Sequence, residues 1–170
     1  MALSMFQASV PVFRQMLGAL SANLARGEAH AAEHAFDPDV LLGYRLAPDM
    51  LNLKQQVQIA TDHAKGAAAR LSGELPPKFD DTEASFAELR DRIARTLGYL
   101  DGKRPEDLDG SETRTVELKI GGSAMTFDGQ TYLMHFALPN FFFHVTTAYA
   151  IMRHCGVRLG KRDFMRAPEA

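Results

Sequence analysis

Asn140 and His144 stand four residues apart in NFFFHVTTAYAIMRH, residues 140–154. On a helix advancing about 100° per residue, that spacing sets the amide one turn before the imidazole. Thr147, Ala148, Ile151 and Cys155 fall on the same side. An imidazole on such a face can serve as a metal ligand, as a base, or as a hydrogen-bonded packing residue. A second imidazole, His63, lies at the edge of an apolar stripe near Gln56 and Ile59, while Asp62 is directed away and spaced to pair with Lys65. If the helices carrying His63 and His144 are neighbours, the two rings converge in the interior. Two imidazoles and the Asn140 amide fall short of the three or more nitrogen, sulfur or carboxylate ligands usual for zinc or nickel. A metal held there would complete its shell with water.

Three other constellations carry weaker signals. HAAEH, His30 to His34, has the H-x-x-E-H spacing in which two imidazoles bind zinc and a glutamate activates water. Its surroundings, ARGEAHAAEHAFDPD, supply almost no apolar residues to bury a site, and the reading preferred is a solvated helix end. Cys155 sits at a helix C-terminus, where the dipole disfavours a thiolate; a buried structural cysteine is expected. RLGKRDF, Arg158 to Phe164, reads as a solvated end with Phe164 docked on the fold, or as an anion clamp of Arg158, Lys161 and Arg162.

The elements that must position these residues are set by composition and period. The chain has 170 residues, 46% hydrophobic and 24% charged, enough to bury a core, and reads as one domain over 1–170. No apolar run approaches the ~20 residues of a membrane span. Nineteen basic against twenty-one acidic residues, net charge -2, with no basic run, argue against nucleic acid. MALSMFQASVPVFRQ lacks the pattern of a signal peptide, and a single cysteine suits a reducing cytoplasm.

Phe6, Val10, Phe13, Leu17, Leu20 and Leu24 alternate at spacings of four and three, one face of a first long helix. Pro11 either starts it or kinks it. A connection from about Gly27 to Asn52 follows, with a helical turn expected at Asp39 to Leu42. The second helix, about Leu53 to Leu71, shows a stripe rich in alanine, implying close approach of a neighbour, and stops at Gly73. Asp81 or Thr82 is the expected N-cap of the third helix, whose apolar face is Phe86, Leu89, Ile93, Leu97 and Leu100. TVELKIGGSAMTFDG switches to period two, with Val116, Leu118 and Ile120 on one face and Gly121-Gly122 as a hairpin turn. A helical stretch through Tyr132, Leu133 and Phe136 leads to Pro139, which starts or kinks the fourth helix, ending near Cys155 at Gly156. Phe142, Tyr149 and Arg153 lie opposite His144, facing either the hairpin or another subunit. The sum is an all-α four-helix bundle with a small β-hairpin between the third and fourth helices.

RLAPDM, QVQIATDHAKGAAARL and MHFALPNFFFHVTTAYAIMRHCGVRLGKRDF resemble a bacterial family of unknown function, a branch of the DinB/YfiT-like superfamily of four-helix bundles, over almost the whole chain. Better-studied members of that superfamily are divalent-metal proteins, including thiol-dependent transferases. They bind metal through one histidine on the second helix and two, four residues apart, on the last. By that resemblance His63 matches the second-helix ligand and His144 the second of the pair, with Asn140 where the other histidine would stand. The resemblance implies a divalent-metal-dependent enzyme of thiol-transferase or hydrolase type, holding Ni, Zn or Mn through His63, His144 and Asn140. The alternative is a noncatalytic homodimeric binding or stress-related bundle that has lost the metal. A homodimer and a small-molecule ligand are the partners expected, with no nucleic acid and no membrane.

Overall fold

The structure, a computed structural model, describes residues 3–165. Helix α1 spans Val10–Glu33 with Pro11 in its first turn, where the missing N–H has no partner to lose. Pro11 thus starts the helix, and Phe6 precedes it. The helix runs on past Gly27, where the apolar pattern breaks. A Cβ at Gly27 would stand 3.1 Å from the Phe86 ring, so the glycine admits close packing there instead of ending the helix. Helix α2 (Pro38–Leu42) is a short turn capped by Asp37.

Helix α3 (Leu53–Ser72) opens with a reciprocal cap. The Asn52 side chain accepts from the Gln55 N–H, and the Gln55 side chain accepts from the Asn52 N–H. It closes at Gly73, whose φ of 78° suits the left-handed stop. Helix α4 (Phe86–Asp101) is capped by Ser85, which accepts from the Glu88 N–H; the cap expected at Asp81 or Thr82 is not used. Asp81 instead pairs with Arg92 in a charge network described below. A short α5 (Pro105–Leu108) precedes the hairpin of β1 (Thr115–Ile120) and β2 (Ser123–Asp128).

The hairpin pairs Thr115 with Asp128 and Ile120 with Ser123, turning through Gly121 and Gly122, both at positive φ. Val116 is buried, and Leu118 and Phe127 rest on the core, so the strand pair is held by the helices rather than by itself. The Ile120 side chain lies outside the described residues. A short α6 (Gly129–Thr131) leads into a π-helical segment, Tyr132–Ala137, and then α7 (Leu138–His154) and α8 (Lys161–Phe164). Pro139 has no N–H for the carbonyl four residues back, and the wider turn ends just before it.

The four long helices close a ring: α1 packs on α4, α4 on α3, α3 on α7, and α7 on α1. One contiguous core fills it, from Phe13, Leu17 and Leu24 of α1 through Val57 and Ala64 of α3 and Ile93 of α4 to Phe141, Val145 and Ile151 of α7. The edge-to-face contact of Phe13 with Phe141, centroids 4.8 Å apart, ties the first helix to the last. Phe142 and Tyr149 face this same core and α8, with Tyr149 set edge-on to Phe164 at 5.5 Å. The exposed aromatic of α7 is Phe143. Among the described residues no helix is long and apolar enough to cross a membrane.

Candidate histidine site between α3 and α7

Alanines make the site possible. Ala60, Ala64, Ala67 and Ala68 are fully buried on α3, and their small side chains let α7 lie close. That contact, the most extensive between any two helices, brings His63 and His144 together. Their rings are nearly parallel, 16° apart, with centroids at 5.7 Å.

His144 is buried and accounted for at one nitrogen. Its Nδ1 lies 2.7 Å from Gln56 Oε1, while Gln56 Nε2 donates to the Leu51 carbonyl at 3.0 Å. A carbonyl only accepts, so the Gln56 amide nitrogen must face Leu51 and its oxygen must face His144. The His144 Nδ1 therefore carries the hydrogen, and in the neutral ring Nε2 keeps a free lone pair. Burial holds the His144 pKa below its ordinary value, which keeps the ring neutral. Gln56, itself 1% exposed, is the residue that sets this tautomer. In the sequence it stands only as a neighbour of His63 on the helical wheel.

His63 is half-buried against Phe136, edge-on at 5.9 Å. Its pKa is lowered to about 4, first by burial, next by the neighbouring His144, with Asp62 acting in the opposite sense and Arg70 lowering it further. Both imidazoles are thus neutral at pH 7, the form that ligates a metal or accepts a proton. Asn140 is half-buried one turn before His144, and its amide nitrogen donates to the Phe136 carbonyl at 2.7 Å. The amide group is held by its own helix, leaving Oδ1 as the atom available for another partner.

Asp62 does not join the imidazoles. Its Oδ1 accepts from Lys65 Nζ and Arg92 Nη2, each at 2.8 Å. Arg92 is completely buried and reaches five partners: Thr61 Oγ1 at 2.7 Å, Asp62, the Asp80 carbonyl at 3.1 Å, and the carboxylates of Asp81 and Glu83, each at 3.0 Å. Gln58 donates to Glu83 from the other side at 2.8 Å. Burial works against ionisation of Glu83, but the hydrogen bonds from Gln58 and Arg92 outweigh it and hold the carboxyl below its usual range. This network locks the α3–α4 face behind His63. It also consumes the one acid that sits beside the imidazoles in sequence.

Among the described residues no group of three or more histidines, cysteines or acids is placed to hold a metal. His63 and His144 stand side by side as a pair of neutral imidazoles. Rings sharing one ion through metal–nitrogen bonds of about 2.0–2.1 Å have centres on the order of 5–6 Å apart. The observed 5.7 Å lies in that range, but with the rings 16° from parallel it equally describes offset stacking. Two imidazoles and one amide do not make a closed four-ligand structural site; an ion held by them would need water or a ligand to complete its shell.

The remaining constellations lie elsewhere. HAAEH forms the end of α1, where His34 Nδ1 bonds the His30 carbonyl at 2.9 Å and Glu33 and His34 are exposed, in keeping with a solvated helix end. Cys155 is half-buried rather than buried, and burial raises its thiol pKa, opposite to an activated nucleophile. Phe164 docks against Tyr149 as the tail pattern suggests. Arg158, Lys161 and Arg162 are exposed, and Asp163 pairs with Arg26 of α1 at 2.8 Å.

Residues 5–165 match the family model for a domain of unknown function, DUF1993. The crystal structure of a DinB family member protein from Shewanella denitrificans is 43% identical, covers 97% of this chain and 94% of that chain, and superposes with a TM-score of 0.85. No curated protein matches the chain. A match over nearly the whole chain, with the same bundle in a solved relative, leads to one assignment: the chain belongs to the DUF1993 family and carries a DinB-like fold.

Proposed function

We propose that this DinB-like protein is a metal-assisted enzyme of thiol-transferase or hydrolase type. Its centre is His63 and His144, which hold a divalent Ni, Zn or Mn ion while Asn140 Oδ1, water or a substrate atom fills the remaining positions. The observation that carries this reading is the Leu51–Gln56–His144 chain. Metal-binding histidines characteristically donate their second ring N–H to a fixed acceptor, which orients the ring and raises its basicity. Gln56 supplies that acceptor at 2.7 Å. A divalent ion bound there supplies Lewis acidity, lowering the pKa of a bound water or thiol. The chain's own residues keep both imidazoles neutral, fix the His144 tautomer and hold the Asp62 carboxylate in ion pairs with Lys65 and Arg92. Two nitrogen ligands favour an exchangeable ion over a permanently buried one.

The test is titration of metal-stripped protein with Zn(II), Ni(II) and Mn(II) by calorimetry, followed by thiol-transfer and ester-hydrolysis assays on the loaded protein. One-to-one binding that is lost in His63→Ala supports the reading; no saturable binding of any of the three overturns it. The Asn140 amide bond to Phe136 favours a second reading, a noncatalytic homodimer without metal. Exposed Phe143 and Met134, 55% and 45% accessible, would then lie in its contact surface. Concentration-dependent sedimentation that Phe143→Ser abolishes would support that alternative.

A further inference from the structure

A cleft of about 200 Å³ opens beside His63, between α3, β1 and the π-helical segment. Its floor carries an unusual pair. Arg70 Nη1 donates to the Tyr132 hydroxyl at 3.2 Å, occupying a lone pair of that oxygen. Tyr132 is 1% exposed, and among the described residues no acceptor takes its own hydrogen. Arg70 has no carboxylate partner among the described residues either. The one acid on the cleft wall, Asp62, is already shared by Arg92 and Lys65. The guanidinium and the phenol together present hydrogen-bond donors with nothing to receive them.

The rest of the lining completes a recognisable chemistry. Leu118 and Phe136 supply apolar walls, and Lys119 of β1 also lines the cleft. Gly66 makes the arrangement possible: a Cβ there would stand 2.5 Å from Arg70 Nη1, so the guanidinium lies in the space an alanine would take. The volume is smaller than the roughly 300–1,000 Å³ of pockets for drug-sized ligands. We infer that this cleft binds a small organic anion, a monocarboxylate with an apolar body. Its carboxylate sits on Arg70 and Tyr132, and its far end meets His63.

A guanidinium and a hydroxyl matched to two carboxylate oxygens form charge-assisted hydrogen bonds, stronger than neutral ones and selective for that planar group. Naming the anion as substrate rests on the metal-site reading; its binding does not. Failure of one is therefore separable from failure of the other.

The experiment is calorimetry or protein-observed NMR on metal-stripped full-length protein with benzoate, phenylacetate and acetate, and with benzamide as the neutral isostere. Benzoate or phenylacetate is expected to bind saturably and benzamide at least about tenfold more weakly. Gly66→Ala adds a good helix former and displaces only the tip of a flexible side chain, so it is expected to stay folded while losing about tenfold or more in carboxylate affinity. Tyr132→Phe is expected to lose a smaller factor, and His144→Ala to lose metal but keep benzoate. Equal binding of benzoate and benzamide, or no saturation by any acid up to about 20 mM, overturns the inference. So does Gly66→Ala affinity equal to wild type.

Discussion

Lowering the pH from 7 to 5 should destabilise the metal-free protein through His63. Its pKa is about 4 in the fold against an ordinary 6.5. Between those values the unfolded chain binds the proton and the folded chain resists it, so stability rises with pH across the window. The contribution is fully present above 6.5, falls as the pH drops, and is wholly lost below about 4, where it amounts to about 3 kcal/mol. At pH 5 the loss from this one group is about 2 kcal/mol. The assay is urea unfolding at both pH values for wild type and His63→Asn, which removes the titrating ring. The wild-type loss should exceed that of the variant by about 2 kcal/mol. Imidazole NMR of the native protein locates the titration directly. A His63 midpoint near 6.5, or a difference between the two proteins below about 0.5 kcal/mol, would refute the claim that burial and His144 keep this ring neutral.

Two further outcomes follow from the buried polar groups. Glu83→Ala leaves the fully buried Arg92 short of a carboxylate and should cost about 3–5 kcal/mol in chemical unfolding; a cost under about 1 kcal/mol would mean the neighbouring Asp62 and Asp81 suffice. Gln56→Leu removes the acceptor for His144 Nδ1–H and should cost about 1–3 kcal/mol. The same change should weaken any divalent-metal binding about 10–100-fold, read by competition with a chromophoric chelator.

Where the sequence was readable, a local physical cause stood next to its effect. Gly73 ends α3 because a left-handed stop acts within a few residues, and the alanine stripe before it foretells the close contact with α7. Gly121-Gly122 dictates the hairpin turn in the same way. The failures share the opposite character. Arg92 is not among the apolar positions that the period picks out on its helix, yet it is fully buried because partners 9 to 31 positions away converge on it. That convergence buries Glu83 and holds the Asp80 carbonyl and the Asp81 carboxylate against Arg92, and the α4 cap falls at Ser85. Gln56 and His144 are 88 residues apart, and only the fold shows that the amide fixes the ring. Arg70, Tyr132 and Gly66 carried no pattern that named them as a cleft. Periodicity marks which face is apolar, but not which polar groups will meet across it.

The proposed activity requires His63 and His144 to act as a pair of neutral ligands. Elemental analysis of untagged protein purified without chelators, wild type beside His144→Ala at matched purity, tests this most directly. Near-equimolar Ni, Zn or Mn in wild type, lost in the variant, is the result predicted. No metal in either protein, even after Zn or Ni is added back, would contradict it and leave His144 a hydrogen-bonded core histidine.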